Sequence, residues 1–330
     1  MTQSIGVALR GTGSCVPARV VTNAEFAKTL DTSDEWIVTR TGIRERRYAG
    51  PGETTAGMSL EASRKALAMA GLEPRDLDLI VCATVTPEMM FPSTACFIQA
   101  GLGCRMIGAF DLLAACSGFV YALAVGSQFI QTGTYRHVLV VGAETLSRIT
   151  DFRDRGSCIL FGDGAGAAVL SRTDEPGRGL RYFRLYADGS NPALLNLPGG
   201  GSRFPTSAET VAERMHYIRL NGREIYKFAV TRMQELIEEA LADCRLTVDD
   251  VDLLIPHQVN QRIIDSAVAH LGFPPEKLVV NIDRFGNTSA ASVPLALDEA
   301  LRSGRAKPGD TVLLVAFGGG MTWSSAVITL

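Results

Sequence analysis

Long apolar runs are missing from this chain, and so is any marked imbalance of charge. No run approaches the roughly 20 apolar residues that a membrane-spanning helix needs. The segment Met1 to Arg10 lacks the basic and then apolar pattern of a secretory signal. The formal net charge is only −3 at pH 7. We therefore expect neither a nucleic acid nor a membrane surface as a partner.

Paired cysteines are also missing. The seven cysteines are odd in number, scattered and without C-x-x-C spacing, at positions 15, 82, 96, 104, 116, 158 and 244. This pattern argues against a disulfide framework and against a structural zinc site. It predicts a reducing, cytoplasmic location.

Nucleotide-binding loops are missing as well. Gly162–Gly166 is rich in glycine, but it has neither the G-x-G-x-x-G spacing nor the lysine of a P-loop. We interpret these glycines as positions of tight backbone packing under a site. We expect no metal and no cofactor.

The chain does have ample apolar residues and an internal repeat. Of its 330 residues, 46% are hydrophobic, which is enough for a substantial core. Residues 66–81 resemble residues 240–255, which lie 174 positions later, and residues 138–141 resemble residues 312–315 at the same offset. Apolar strands that alternate with helices predict a parallel sheet covered on both faces.

The repeat divides the chain into two similar α/β halves that meet at a pseudo-dyad. We place these halves at residues 1–175 and 176–330, because Arg172–Gly179 is polar and turn-forming. Ligands of such sheets bind in the crevice beyond the carboxyl ends of the strands. A site is therefore expected where the two halves meet.

Three chemically capable residues lie in segments that could reach this crevice. Cys116 precedes a helix of small residues, and the N–H groups and dipole of a helix N-terminus favour the thiolate. His257 and Asn287 each follow an apolar, strand-like run. A lone cysteine is more often a small core residue, but Cys, His and Asn together form an acyl-transfer set.

These residues belong to a larger set of sequence blocks that occur in one order along almost the whole chain. The blocks are Asp34–Arg46, Ala115–Phe119, Asp154–Ala168, Pro256–Gln258, Gly286–Ser292 and Phe317–Gly320. In order and spacing they resemble β-ketoacyl-acyl-carrier-protein synthase III, a condensing enzyme of the thiolase superfamily. The Cys-His-Asn set distinguishes this family from elongating synthases, thiolases and hydroxymethylglutaryl-CoA synthase. Plant polyketide synthases share the set but lack the N-terminal block.

The resemblance implies a fold and a reaction. The fold is thiolase-like, with two pseudo-symmetric α/β halves in five layers, αβαβα. The reaction starts type II fatty-acid synthesis: Cys116 takes an acyl group from acyl-CoA, and malonyl-acyl-carrier protein then loses CO₂ and attacks it. His257 and Asn287 would donate to the enolate oxygen, and the backbone N–H groups of Cys116 and Gly319 would form the second oxyanion hole.

The resemblance also implies contacts to the substrates and to a second subunit. The contacts to CoA and its pantetheine arm would be Trp36, Arg40, Arg155, Gly222, Ile225, Tyr226, Ala229 and Asn260. Phe91 would cross the interface of a homodimer and close the partner's acyl pocket. Arg262 and Lys227 would hold the acidic carrier protein. Tyr226 replaces a more usual Phe, and its hydroxyl needs a partner if it is buried.

Three alternatives remain open from the sequence alone. The same acyl-cysteine could serve a different acceptor, in a specialised acyltransferase or a head-to-head condensing enzyme. Malonyl dependence and CO₂ release would distinguish these from the main hypothesis. A non-catalytic partner of a ketosynthase would not need Cys, His and Asn together. A redox-sensing thiol protein would not depend on His257 or Asn287.

Overall fold

Two large sheets, two small ribbons and the surrounding helices make up residues 5–330, the part of the chain that the computed structural model describes. The strands of this part are β1 (Gly6–Cys15), β2 (Val20–Thr22), β3 (Glu45–Arg47), β4 (Leu79–Ala83), β5 (Gly108–Leu112), β6 (His137–Thr145), β7 (Asp163–Thr173), β8 (Gly179–Ala187), β9 (Leu195–Asn196), β10 (Arg219–Leu220), β11 (Leu253–Pro256), β12 (Thr311–Gly318) and β13 (Thr322–Thr329).

The helices cover both large sheets and fill the space between them. The α-helices are α1 (Asn23–Phe26), α2 (Asp34–Thr41), α3 (Thr55–Ala70), α4 (Thr94–Leu102), α5 (Gly118–Gln131), α6 (Arg155–Cys158), α7 (Ala208–Ala212), α8 (Gly222–Cys244), α9 (Gln261–Leu271), α10 (Ile282–Phe285) and α11 (Ser292–Arg302). Short 3₁₀ turns lie at Pro74–Asp76, Ala115–Ser117, Leu146–Arg148, Pro192–Leu194, Pro275–Lys277 and Ser289–Ala291. No helix within residues 5–330 combines the length and the apolar character that crossing a membrane requires.

Both large sheets are mixed, whereas the sequence predicted parallel sheets. The first has the order β1-β7-β6-β4-β5, with β4 parallel to β5 and β6 and with β7 antiparallel to β6 and β1. The second has the order β11-β12-β13-β8, and its only parallel pair within the described residues is β11 with β12. The prediction was wrong for the remaining strands. Three residues join β12 to β13, and so short a connection allows only antiparallel pairing.

Alternate residues along the central strands face different layers. Leu79 and Val81 of β4 face a core between the two sheets, where α5 and α11 lie, while Ile80 packs outward against α3. In β12, Leu314 faces the same central core and Leu313 packs outward against α8 and α9. Because alternate side chains of these strands are buried on opposite faces, each large sheet is covered on both sides. The fold therefore has five layers: α3 and α4, the first sheet, α5 and α11, the second sheet, and α8 and α9.

The internal repeat persists in three dimensions. Helices α5 and α11 begin 174 residues apart, and each follows a 3₁₀ turn whose first residue has a positive φ. We call Ala115–Ser117 the first elbow (φ 46° at Ala115) and Ser289–Ala291 the second elbow (φ 47° at Ser289). The first sheet uses strands up to Thr173 and the second uses strands from Gly179. We accordingly propose residues 1–175 and 176–330 as the two halves.

Each elbow is pressed against a glycine of a neighbouring strand. A Cβ on Gly318 of β12 would lie 2.5 Å from the backbone nitrogen of Cys116. A Cβ on Gly142 of β6 would lie 2.3 Å from the carbonyl oxygen of Ala290. Only glycine allows either approach. The two elbows therefore lie directly against the central strands β12 and β6.

Candidate active site

One pocket of about 290 Å³ is lined by residues from both halves. It brings together the three residues that the sequence singled out, Cys116, His257 and Asn287. Cys116 lies on the first elbow, His257 directly follows β11, and Asn287 follows α10. The predicted crevice at the strand ends therefore exists, and these three side chains line it.

Cys116 is a buried thiol. Its exposed fraction is 8%, and burial raises the pKa of the Cys116 thiol to about 12. The Ser289 hydroxyl lowers this pKa and the Glu144 carboxylate raises it, but both effects are smaller than burial. Burial therefore opposes the thiolate that the sequence expected a helix N-terminus to favour, and that expectation stays a prediction.

His257 is neutral and has one nitrogen free for a ligand. It is fully buried, and burial lowers the pKa of its imidazole to about 3. Its Nδ1 lies 2.6 Å from the hydroxyl of Ser292, while its Nε2 is buried without a hydrogen-bond partner among residues 5–330. When the Ser292 hydroxyl donates to Nδ1, the ring hydrogen is on Nε2. An N–H donor then faces the pocket.

Asn287 is held by its backbone and by its side-chain oxygen. Its N–H donates to the Leu160 carbonyl at 2.8 Å, and its own carbonyl accepts from the Gly162 N–H at 2.9 Å. The side-chain Oδ1 accepts from the Ser289 N–H at 2.9 Å. Since Oδ1 is engaged, the amide NH₂ remains to donate to a ligand.

The glycines of the Gly162–Gly166 segment make this arrangement possible. A Cβ on Gly162 would lie 2.1 Å from the Phe285 carbonyl oxygen, and one on Gly166 would lie 2.6 Å from Pro294. The interpretation of these glycines as tight backbone packing is confirmed.

Most of the predicted substrate contacts surround the mouth of this pocket. Those that line it are Trp36, Arg40, Gly222, Ile225, Tyr226, Asn260 and Arg262. The Ser33 side chain caps α2 by accepting from the Trp36 N–H, which orients the helix that carries Trp36 and Arg40. The Tyr226 hydroxyl finds the partner that it needs in Ser266, at 2.9 Å.

An aromatic and cationic cluster forms one side of the mouth. The guanidinium carbon of Arg40 lies 4.2 Å from the centre of the Trp36 ring, and that of Arg155 lies 5.0 Å from it. Arg155 also donates to the Asp31 carbonyl at 2.6 Å. Asn260 caps α9 and donates to the Arg40 carbonyl at 3.0 Å, which ties this cluster to α9.

Five predicted residues lie outside the pocket lining. Gly319 follows the lining residue Gly318, Ala229 of α8 is fully buried in the core, and Phe91 is 83% exposed. Arg155 reaches the mouth only through Trp36. Lys227 is exposed and pairs with Glu224 at 3.2 Å.

Three polar residues of the site were not predicted. Ser289 and Ser292 fall inside the Gly286–Ser292 block, but nothing in the block distinguishes them from its other small residues. Glu144 is fully buried, and burial raises the pKa of its carboxyl to about 7. A carboxylate at the end of the apolar strand β6 was the only signal for it.

Known proteins resemble this chain along its whole length. The profile of the family described as 3-oxoacyl-[acyl-carrier-protein] synthase III matches residues 110–189, and that of its C-terminal part matches residues 241–330. A curated β-ketoacyl-[acyl-carrier-protein] synthase III from Caldanaerobacter subterraneus subsp. tengcongensis is 53% identical over 99% of both chains.

Solved structures give the same result. The 3-oxoacyl-[acyl-carrier-protein] synthase III of Aquifex aeolicus superposes with a TM-score of 0.92 at 46% identity, over 98% of this chain and 100% of the other. The priming β-ketosynthase of the R1128 polyketide pathway superposes with a TM-score of 0.90 at 37% identity, over 100% and 98%. The predicted five-layered, thiolase-like α/β fold is confirmed. The chain belongs to the β-ketoacyl-acyl-carrier-protein synthase III family of condensing acyltransferases.

Proposed function

We propose that this chain catalyses the initiating condensation of type II fatty-acid synthesis, from an acyl-CoA and malonyl-acyl-carrier protein. The observation that carries the proposal is the buried, neutral His257, which lines the same pocket as Cys116 and Asn287 and whose Nε2 has no hydrogen-bond partner among residues 5–330. One nucleophile and two neutral donors suit a reaction with two half-steps.

In the first half-step Cys116 is acylated. Its sulfur forms a bond to the thioester carbonyl carbon, the bond from that carbon to the CoA sulfur breaks, and the thiol proton leaves with CoA as its thiol. The raised pKa of Cys116 means that the thiol loses its proton only as the attack proceeds. The carbonyl oxygen would be held by backbone N–H groups, for which Cys116 and Gly319 remain our proposal.

In the second half-step malonyl-acyl-carrier protein loses CO₂. The electrons of the broken bond form an enolate, whose negative oxygen needs donors that do not titrate. His257 through Nε2–H and Asn287 through its NH₂ suit this role, since neither group changes charge near neutral pH. The enolate carbon then attacks the acyl carbon, and Cys116 leaves and takes up a proton.

Substrates would enter at the aromatic and cationic mouth. An indole beside two guanidinium groups suits a purine and its phosphates, which supports Trp36, Arg40 and Arg155 as CoA contacts. Gly222, Ile225, Tyr226 and Asn260 line the path inward, and Ala229 would support it from beneath. Arg262 and the nearby Lys227 would attract the acidic carrier protein. The proposed chemistry requires no cofactor and no metal, because acyl-CoA is a substrate.

A homodimer is part of the same proposal. Strand β5 pairs with β4 alone among the strands of residues 5–330, so it lies at the edge of the first sheet. Large apolar side chains are exposed near this edge, with Met90 at 80%, Phe91 at 83% and Leu113 at 77%. Pairing of β5 across a two-fold axis would cover them and bring Phe91 to the partner's acyl pocket.

A cytoplasmic location is also proposed. None of the seven cysteines, all within residues 5–330, forms a disulfide. Free thiols are typical of a reducing compartment.

A specialised acyltransferase remains the second candidate. It is supported by the similarity to a priming β-ketosynthase of a polyketide pathway, but the curated β-ketoacyl-[acyl-carrier-protein] synthase III shares more of its sequence with this chain, 53% against 37%. A change of acceptor would leave the Cys116 half-step intact and remove the dependence on malonyl-acyl-carrier protein.

Intact-protein mass spectrometry tests both half-steps. The protein is incubated with acyl-CoAs of rising chain length, without a malonyl donor, beside Cys116→Ser. A single acyl adduct on the wild type alone is expected, and its chain length identifies the primer. Malonyl-acyl-carrier protein should then remove the adduct and release CO₂. No adduct from any acyl-CoA, or an adduct that malonyl-acyl-carrier protein leaves in place, would contradict the proposal.

A further inference from the structure

Glu144 is a buried carboxylate that the proposed mechanism does not use. It is the second-last residue of β6, has no exposed surface, and forms no ion pair with any cation of residues 5–330. Its oxygens instead accept from the hydroxyl of Thr86 at 2.6 Å, the N–H of Val85 at 3.2 Å and the hydroxyl of Ser289 at 3.0 Å. A buried carboxyl group whose hydrogen-bond donors are all neutral is costly to ionise.

Ser289 connects this carboxylate to the nucleophile. Its hydroxyl donates to Glu144 Oε1 at 3.0 Å, and its backbone N–H holds the Asn287 side chain. The second elbow, which carries Ser289, packs against the first elbow, and the Ser289 hydroxyl lowers the pKa of the Cys116 thiol there. A serine hydroxyl has one hydrogen to donate. An ionised Glu144 takes that hydrogen in a charge-assisted bond, so that Cys116 faces a lone pair of the Ser289 oxygen. A lone pair accepts from S–H and opposes the thiolate.

Neutral Glu144 reverses this arrangement. Without a charge to hold it, the hydrogen of Ser289 can turn to sulfur, where it stabilises the thiolate that attacks or leaves. We propose that Glu144 is a positioning residue that acts through Ser289, and that its ionisation keeps Cys116 as a thiol while its protonation releases a hydrogen bond to the thiolate. The proposal deepens the function proposed above, since it concerns the same nucleophile.

Other titratable groups around Glu144 are few. Cys82 of β4 is fully buried close to it, and Asp111 of β5 faces Cys82. The rest of its surroundings are neutral, with Thr84 and Thr86 on the loop after β4 and the Ala290 N–H on the second elbow. Because burial raises the pKa of Glu144 to about 7, the switch would operate near neutral pH.

The test is the rate at which iodoacetamide alkylates Cys116 between pH 6 and 9, followed on the Cys116 peptide by mass spectrometry. This probe needs no acyl substrate, so failure of the proposed function would not affect it. A single buried thiol gives a rate that rises tenfold per pH unit. In the wild type we expect this rise to flatten near pH 7, because ionisation of Glu144 makes the thiol harder to ionise. A straight line of unit slope would overturn the proposal.

Variants separate the route through Ser289 from a general effect of charge. Glu144→Gln should give a straight line and an alkylation rate at pH 8 that is about tenfold higher, which is one unit of thiol pKa. In a Ser289→Gly background, chosen because glycine tolerates the positive φ at this position, the same change should have a much smaller effect. A full tenfold effect in that background would mean that Glu144 acts without Ser289, and would overturn the proposal.

Asp298→Asn is the matched control. Asp298 is also a buried carboxylate, 1% exposed, and it accepts from the hydroxyls of Thr12 and Ser14, although unlike Glu144 it pairs with Arg302 at 2.9 Å; none of these residues lines the pocket. The flattened profile should survive in this variant. If Asp298→Asn straightens the profile too, the flattening reflects loosened packing and the proposal fails. If Glu144→Gln does not fold, a straight wild-type profile still overturns the proposal, and Ser289→Gly alone tests the route, because the flattening should largely disappear without the hydroxyl and its full persistence would overturn the proposal.

Discussion

The two elbows have nearly the same backbone and different chemistry. Each is a 3₁₀ turn with a positive φ at its first residue, and each precedes a central helix, α5 or α11. At the middle position the first elbow carries Cys116, which lines the pocket, and the second carries Ala290, which is 1% exposed and does not. The turn alone therefore does not make a nucleophile.

What distinguishes the elbows is what each half contributes around them. The N-terminal half supplies the thiol on the first elbow. The C-terminal half supplies neutral groups, with His257 after β11 and Asn287 just before the second elbow. In the proposed function one half carries the covalent chemistry and the other stabilises the enolate. The four predictions below test this division, beginning with the largest expected effect.

Replacing the thiol should abolish the covalent half-step. We expect Cys116→Ser to reduce acylation by acyl-CoA by at least about 10⁴-fold, because a serine hydroxyl is a far weaker nucleophile without a base beside it. The acyl adduct is measured by intact mass, and circular dichroism checks the fold. Full activity in a folded variant would show that Cys116 is not the nucleophile.

Replacing a donor of the C-terminal half should spare acylation. For Asn287→Ala we expect decarboxylation of malonyl-acyl-carrier protein to fall on the order of 10²- to 10³-fold, the usual effect of losing one oxyanion donor. Acylation of Cys116 should stay within a few-fold of the wild type. Single-turnover assays of the two half-steps give the comparison. Equal losses in both would mean that Asn287 acts structurally, through its bond to Ser289.

Removing the Ser292 hydroxyl, which contacts the His257 imidazole, should have a smaller effect on the decarboxylation half-step. Ser292→Ala removes the hydroxyl at His257 Nδ1, so the ring hydrogen is no longer directed to Nε2. We expect decarboxylation to fall about tenfold, equivalent to one hydrogen bond of about 1.4 kcal/mol. Ser324→Ala is the control, since Ser324 is equally buried but its hydroxyl has no partner among residues 5–330. Similar losses in both variants would argue for a packing effect.

A thiol introduced on the second elbow should not be acylated. In a Cys116→Ser background we expect Ala290→Cys to restore no acylation, because residue 290 is packed against Gly142 and does not reach the pocket. The added sulfur should only lower stability, by about 1–3 kcal/mol, which thermal unfolding measures. An acyl adduct on the introduced thiol would show that the elbows are interchangeable.

The sequence predicted the parts of this molecule that depend on local pattern. Apolar strands repeated at one offset anticipated the two halves, and Cys116, His257 and Asn287 line one pocket. The roles of these three residues stay a prediction. The predicted strand direction was right for β4, β5 and β6 and for the pair β11 and β12, and wrong for the other strands of the two large sheets, because apolar strands have the same sequence pattern in parallel and antiparallel sheets.

Contacts between distant residues were not predictable. Glu144 meets Ser289 across 145 positions, and His257 meets Ser292 across 35, so neither pair leaves a signal in any short window of sequence. The burial that raises the pKa of the Cys116 thiol was missed for a related reason. Burial of a side chain depends on the whole fold, whereas a helix N-terminus can be recognised from a few residues.

The offset of 174 residues holds only for part of each half, and where it fails is informative. After β6 the chain takes seventeen residues, 146–162, to reach β7, while three residues join the equivalent β12 to β13. Residues 16–54, 146–162 and 188–221 supply nine of the residues that line the pocket: Trp36, Arg40, Thr41, Gly156, Ile159, Leu160, Phe161, Leu195 and Leu220. Insertions and deletions in these segments can therefore reshape the substrate cavity while the duplicated framework stays unchanged. In evolutionary terms, these nine positions of the pocket wall can change in length and sequence without altering the two elbows.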